Sequence, residues 1–460
     1  MFSKWKKGLV TTLFALTTFS TVASAEELPT DQQKWQKWVS EHAVKLQEPT
    51  ASSNEDLSFL KQTLQDKRIV LLGESTHGST EMNQSKVRMI KYLHEEMGYD
   101  VLAFESGFAE ANAVYQNIDD LTAEQAMKKA IYGVWHTEDV EELFQYIKEQ
   151  KEKGTPLILT GFDINIPWNA SAATFATFAN EWISKLNPEI GKLLVEAEKE
   201  IVKYRSVSSY EEFQTMQKPL LSKYERVKEF IQQHKNELQQ IKPKASYNVN
   251  LLEKSISTRI DTLKTHIPNE VKEEIQRKQK TYNENEQALN ESTFYSRDKE
   301  MGQNLAWLSD MQYKNKKIIV WGHNYHIRKQ NYNMLLSFQY AMGLSKKHPN
   351  MIDFLPKYLK NQMYSVGLYA YSGSSYDDSQ DSIVNVNKKH EPNSIEEILK
   401  AAQHPQVFVN LKDVKKIPET SWMYSQTIGQ YWGLIPEYMI PNQHYDGILW
   451  LEHISPAQYK

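Results

Sequence analysis

A chain of 460 residues, 40% hydrophobic and 24% charged, has an ordinary globular balance and is long enough for one large domain or two. A formal net charge of −4 gives no basis for a nucleic-acid partner. The lack of any cysteine excludes thiol nucleophiles, thiolate metal sites and disulfides, so the core alone must hold the fold together.

The chain opens like a secretory signal. Lys4, Lys6 and Lys7 precede the apolar run GLVTTLFALTTFSTV, and Ala23-Ser24-Ala25 precede Glu26. Cleavage is expected after Ala25, which takes the formal charge from −4 to −7 by removing Lys4, Lys6 and Lys7. A retained membrane anchor is the alternative, but the apolar run is short and broken by threonines. The expected mature protein spans 26–460, is secreted or extracytoplasmic, and has no stable membrane anchor.

Residues 26–65 read as polar and helical. Beyond them, short Val/Ile/Leu-rich runs alternate with helical stretches: KRIVLL (67–72), DVLAF (100–104), PLILTGFD (156–163) and KKIIVW (316–321). Such runs read as strands buried on both faces. Between the first two, SKVRMIKYLHEEMG (85–98) is apolar at Val87, Ile90 and Leu93 and stops at Gly98, an amphipathic helix with a glycine terminator. Strand, helix, strand implies a right-handed crossover and a parallel sheet. MYSVGLYAY (363–371), QVFVNL (406–411) and DGILWLE (446–452) are candidates for further strands. Residues 192–301 contain no glycine and are crowded with Glu, Lys, Gln and Leu. The expectation is an α/β fold: a central, mainly parallel sheet with flanking helices and a large all-helical insertion at about 175–300. The insertion is either a lobe over one end of the sheet or a solvated decoration.

Each early strand ends on chemically able residues. The first runs into Glu74 and His77 in GESTHG, the second into Glu105, the third into Asp163, and the fourth into His323 and His326 in GHNYHI. Taken singly, these residues have structural uses: a loop histidine, a helix cap, a turn aspartate. Together they deliver Glu, His, Glu, Asp and His to one rim of an open parallel sheet, where ligands bind. Ser75 lacks the Gly-x-Ser-x-Gly frame of a nucleophile elbow and is assigned a turn or capping role instead.

These stretches resemble the erythromycin esterase family. GESTHGSTE, GYDVLAFESGFAEA, YGVWHTEDVEELFQYI, GFDI, FYSRDKEMGQNLAWL, VWGHNYHI and YDGILWLE follow its order and spacing over roughly residues 60–455. The resemblance implies hydrolysis of a macrolide lactone by an activated water, with no metal or other cofactor, on an α/β core with a helical insertion. It places the general base on His77, supporting glutamates on Glu74 and Glu105, and the late site histidine on His323. The family's arginine, nine positions after the base, falls on Lys86, with Arg88 two positions further on. A lysine keeps the charge but loses the planar two-pronged donor.

Imidazole suits the base because it titrates near neutrality. Glu74 or Glu105 would fix its tautomer. His323, Lys86 or Arg297 would polarise the carbonyl or protonate the leaving alkoxide. Lys86, Arg88, Asp163, Arg297, His326 and Trp135 are the expected substrate-binding set. Phe108, Trp135, Tyr325, Tyr431 and Trp432 are candidate walls for an apolar cleft, or core aromatics. The expected partner is a small-molecule ester or lactone. Two other classes stay open: a metallohydrolase using the same Glu/His cluster, and an inactive exported relative that only binds ligand.

Overall fold

A helix that ends early sets the entry to the sheet. In the computed structural model, which describes residues 30–164, 171–241, 248–283, 288–335, 347–377 and 381–460, α1 (Asp31–His42) is started by a Thr30–Gln33 capping box. The helical reading of 26–65 fails beyond His42: a two-residue strand (Val44–Lys45), irregular backbone and a short helix (Phe59–Thr63) follow. The signal-like residues 1–25 lie outside the described residues.

β1 (Ile69–Leu72) leads through the GESTHG turn to α2 (Thr80–Met97) and β2 (Tyr99–Gly107). α2 starts earlier than its apolar spacing predicts because the Ser79 hydroxyl caps it, accepting from Met82 N–H. It stops at Gly98, whose φ of 67° is left-handed. After β2 come α3 (Phe108–Gln116), α4 (Glu138–Glu152) and β3 (Ile158–Asp163). The chain then turns helical: α5 (Ser171–Ile183), α6 (Pro188–Ile201), α7 (Tyr210–Gln233), α8 (Val249–Lys278) and α9 (Thr293–Trp307). β4 (Lys317–Trp321) re-enters the sheet, followed by the short α10 (Asn324–Ile327), β5 (Met363–Asp377) and β6 (Gln406–Asn410). A hairpin of β7 (Thr427–Tyr431) and β8 (Ile435–Met439) precedes β9 (Gly447–Ile454).

The nine-stranded sheet runs β3-β2-β4-β1-β5-β9-β6, with Val44–Lys45 beyond β6 and Ser382–Asn385 paired to β5. The pairs from β3 to β9 are parallel, while β6 is antiparallel to β9. Side chains alternate between two cores, as the period of a strand requires. Ile69, Leu71, Ile318 and Val320 face one; Val70, Leu72, Ile319 and Trp321 face the other. A third core lies within the helical segment and reaches Ala109 and Ala113 on α3. Arg259 of α8, fully buried, ties that segment to α3, the helix that follows β2: it pairs with Glu198 of α6 and with Glu110 of α3, each at 2.8 Å.

After β1 the chain heads towards β2; after β4, the neighbour of β1, it heads the other way towards β5. Such a reversal opens a crevice at the carboxyl ends of the two strands. The GESTHG and GHNYHI turns sit there.

Candidate active site

The first turn is built by close approaches. A Cβ on Gly73 would lie 2.1 Å from Asn324 Oδ1, and one on Gly78 would lie 1.9 Å from the Tyr376 carbonyl oxygen, so neither position tolerates a side chain. Between them Glu74 is fully buried and accepts three charged or polar donors. His77 Nδ1 donates to Oε1 at 2.6 Å and Trp135 Nε1 donates to the same oxygen at 2.7 Å. Lys86 Nζ donates to Oε2. With Nδ1 engaged by a carboxylate, Nε2 is the His77 nitrogen left for chemistry. The His77 ring lies 5.0 Å from Trp135 and 5.2 Å from Trp432, centroid to centroid, edge-on to both.

β2 ends in a register shift between Phe104 and Gly107, a bulge that re-aims the side chains it contains. Glu105, within it, receives the His323 backbone N–H on Oε2 at 2.8 Å. Its Oε1 meets Arg297 Nη2 at 2.9 Å and His326 Nε2 at 3.2 Å. Burial alone would raise the Glu105 carboxyl; the charges of His326, Arg297 and His77 and the His323 N–H outweigh it and hold it at about 2. Asp163, the last residue of β3, takes the guanidinium of Arg297 on both oxygens, Nη2 to Oδ2 at 2.6 Å. Asp298, which the sequence reading missed, accepts from His326 Nδ1 at 2.8 Å and from Met351 N–H at 2.8 Å. Burial opposes a charge on His326, but Asp298 and Glu105 on either side raise its pKa.

His323 is different. Its Nε2 is 3.2 Å from the Ser75 carbonyl and its Nδ1 accepts from Tyr325 N–H at 3.1 Å, which fixes the proton on Nε2. Burial, with His77 nearby, drives its pKa well below the usual imidazole value. It is a neutral ring clamped at both nitrogens, so an acid or oxyanion role for it finds no spare N–H here. Its centroid lies 5.1 Å from that of His77.

The Ser75 carbonyl also accepts Trp432 N–H at 2.8 Å. Trp432 and Gly433 occupy the β7–β8 turn with φ of 55° and 67°. Two positive φ values suit a hairpin turn, but a tryptophan there bears a strain of roughly 1–2 kcal/mol. The turn lays Trp432 over His323, at 5.8 Å and 28°, and over His77.

These groups line one cavity of about 930 Å³. One wall is the strand rim: His77, Glu105, Asp163, His323 and His326. Another is aromatic: Tyr132, Trp135, Tyr325, Tyr431 and Trp432. The helical segment supplies the rest, including Val207, Val271 and Ile275. Two further expectations are corrected. Arg88 does not reach the cavity; it pairs with Asp56 and donates to the Ser53 carbonyl at 2.5 Å, because it sits two positions from Lys86 on a different side of α2. Lys86, fully buried behind Glu74 with its ammonium 3.5 Å from the centre of the Trp321 ring, touches no substrate space. Phe108 takes the second of its two expected roles, as a core aromatic packed on Trp307. The Ser75 hydroxyl meets the Met82 sulfur at 3.9 Å and stays out of the cavity.

Among the described residues, no three His, Asp or Glu side chains are grouped to hold a metal ion. Arg297 fills the space between Glu105 and Asp163. Among the described residues, no helix is long and apolar enough to cross a membrane.

The sequence profile of the family described as erythromycin esterase matches residues 94–454, well over half of the chain. The chain belongs to the erythromycin esterase family. The profile match begins after Glu74, His77 and Lys86, so their grouping rests on the geometry above. A Bacillus subtilis (strain 168) protein named "Putative hydrolase YbfO" is 44% identical over 441 residues, covering 95% of each chain. Erythromycin esterase type II of Escherichia coli is 24% identical over 141 residues, 30% of this chain and 33% of that one. The fold is shared with a crystal structure of a Bacillus cereus protein (TM-score 0.70, 20% identity, 94% of this chain and 100% of that one). It is shared too with an erythromycin esterase, EreC, in an open conformation (TM-score 0.61, 16% identity, 89% and 96%). Membership in the erythromycin esterase family supports hydrolysis as the class of chemistry.

Proposed function

We propose that this protein hydrolyses a carboxylic ester or lactone with a water activated by His77. The observation that carries the reading is the use of ring nitrogens. His323 spends both on backbone and His326 spends both on carboxylates, whereas His77 has only Nδ1 engaged and lines the cavity. In the reaction, Nε2 takes a proton from water and the hydroxide adds to the ester carbonyl. The negative oxygen forms near Arg297 and His326, the cationic side of the rim. The intermediate then expels the alkoxide, which recovers the proton from Nε2, releasing acid and alcohol. Glu74 holds the tautomer and offsets the imidazolium charge, as a triad carboxylate does.

The substrate we favour is a large, mostly apolar ring such as a macrolide lactone. A cavity of about 930 Å³ with an aromatic wall suits one. We also propose that the protein acts outside the cytoplasm, on the strength of the signal-like residues 1–25; a mature N-terminus at Glu26 in the secreted fraction would bear this out, and a mature chain retaining Lys4 would overturn it.

The test is a panel of macrolides, simple lactones and aryl esters, read by mass for addition of water. In oxygen-18 water one label should enter the acid product, and dialysis against a strong chelator should leave the rate unchanged. Chelator loss with metal rescue would replace the mechanism with a metal-dependent one. Failure on every ester would leave ligand binding alone. An acyl-enzyme on Ser75 would make that serine the nucleophile.

A further inference from the structure

Lys86 stands out because nothing in the chemistry above needs it. It is fully buried, carries a charge into a low-dielectric layer, and faces away from the cavity. Its ammonium has Glu74 Oε2 on one side and the Trp321 ring, 3.5 Å to the centroid, on the other. The same carboxylate holds His77 through its second oxygen. Lys86, Glu74 and His77 therefore form one continuous line, with the carboxylate shared between two would-be cations.

Glu74 facing His77 alone would be a problem for a base. A buried, unpaired carboxylate 2.6 Å from an imidazole favours the imidazolium, and an imidazole already protonated on both nitrogens cannot take a proton from water. A second cation on the far oxygen removes that bias. The other titratable groups facing this line, among the described residues, are Glu105, which acts on both Lys86 and His77, and the neutral His323 beside His77.

We propose that Lys86 is a positioning residue that tunes His77: its buried ammonium balances Glu74, so that the carboxylate orients the His77 ring without locking it as an imidazolium. The proposal rests on His77 being the base. Removing the charge should raise the His77 titration midpoint by roughly 1–2 pH units, the size of one unit charge acting across the carboxylate at an effective dielectric of about 20. The ammonium itself is only moderately secure: burial draws its pKa down to about 8 against the pull of Glu74 and Glu105. The Trp321 face offers further electrostatic support.

The experiment compares wild type, Lys86→Met and Lys86→Arg. The His77 ring is followed by nitrogen-15 NMR across pH, and the pH dependence of kcat/KM is measured on whichever ester the protein cleaves. Lys86→Met should move the NMR midpoint and the acid limb of the rate profile upward together, by about one to two units. Lys86→Arg keeps the charge and should leave the midpoint within about half a unit of wild type, even where kcat falls through poorer packing. A uniform rate loss in Lys86→Met with an unmoved His77 midpoint would make Lys86 a structural prop and overturn the idea. So would a Lys86→Arg midpoint displaced by a unit or more, which decides the matter if the methionine variant does not fold. The NMR arm needs no substrate, so it separates failure of this proposal from failure of the esterase reading, which His77→Ala tests on its own.

Discussion

Glu74→Gln is a nearly isosteric change that places a contradiction in the centre of the site. The carboxylate accepts from His77 Nδ1, Trp135 Nε1 and Lys86 Nζ, all donors. An amide has one acceptor end and one donor end. With its oxygen towards Lys86, the NH₂ faces His77 and Trp135. Nδ1 must then become an acceptor, the proton moves to Nε2, and the base is lost. With its oxygen towards His77, the NH₂ faces a buried ammonium, donor against donor. Neither rotamer satisfies all three neighbours. The wrong-tautomer arrangement costs about 10⁴-fold in kcat where a triad carboxylate is treated the same way, so a loss of 10³–10⁴-fold is expected here. KM should change only a few-fold, because Glu74 is fully buried. Stability should fall too, since removing one partner of a buried ion pair typically costs about 3–5 kcal/mol; loss of the Lys86 proton would relieve part of that. Initial rates with the best ester substrate, product mass in oxygen-18 water and a thermal melt for each variant give the three readouts. A Glu74→Gln enzyme within tenfold of wild-type kcat would refute the role given to this carboxylate.

His77→Ala should lose at least about 10²–10⁴-fold in turnover with an unchanged far-ultraviolet circular dichroism spectrum, whereas Ser75→Ala should retain most activity because its hydroxyl points to Met82. Trp432→Ala should raise KM while kcat changes less, measured by steady-state kinetics, since the indole covers His77 and lines the cavity without contributing a proton. Glu300, buried between α8 and α9 with Thr262 donating to it, has its carboxyl pushed up by burial to about 8. Its folded pKa exceeds the unfolded value of about 4.3, so its contribution is full below that value and is lost as pH rises towards 8. Glu300→Gln should therefore melt higher than wild type at pH 8 and gain little at pH 4. Glu105 runs the opposite way: held at about 2, it contributes above about 4.3 and loses that contribution as pH falls through 2, so Glu105→Gln should flatten the acid side of a stability profile.

The sheet was legible because its strands are buried on both faces and so read as unbroken apolar runs. The run at 67–72 became Ile69–Leu72, and that at 316–321 became Lys317–Trp321. The helix between the runs at 67–72 and 100–104 implied a parallel sheet, and both strands run parallel in it, with β4 between them. The residues at the strand ends were legible for the same reason, since topology gathers those ends whatever the loops do. What escaped depended on side-chain direction and on irregular backbone. Lys86 and Arg88 are two positions apart, and only the helix rotation decides that one meets Glu74 and the other Asp56. The β7–β8 hairpin was missed because Pro436 lies inside its second strand and because its turn holds Trp432 where asparagine or glycine is usual. Asp298 had a visible signal, an acid directly after Arg297, but a helical segment crowded with acids hides it.

Arg259 gives the molecule a mechanical property of its own. Its guanidinium is shared by a carboxylate on either side of the seam between α3 and the later helices, and it is sealed from water. Pulling the two apart would break the ion pair to Glu110 and expose the apolar core that reaches Ala109 and Ala113 to water. The helical segment and the sheet should therefore unfold together: calorimetry should record a single melting event for the three cores, and hydrogen exchange at Ile256 and Leu263 should be as slow as at Val70 and Val320.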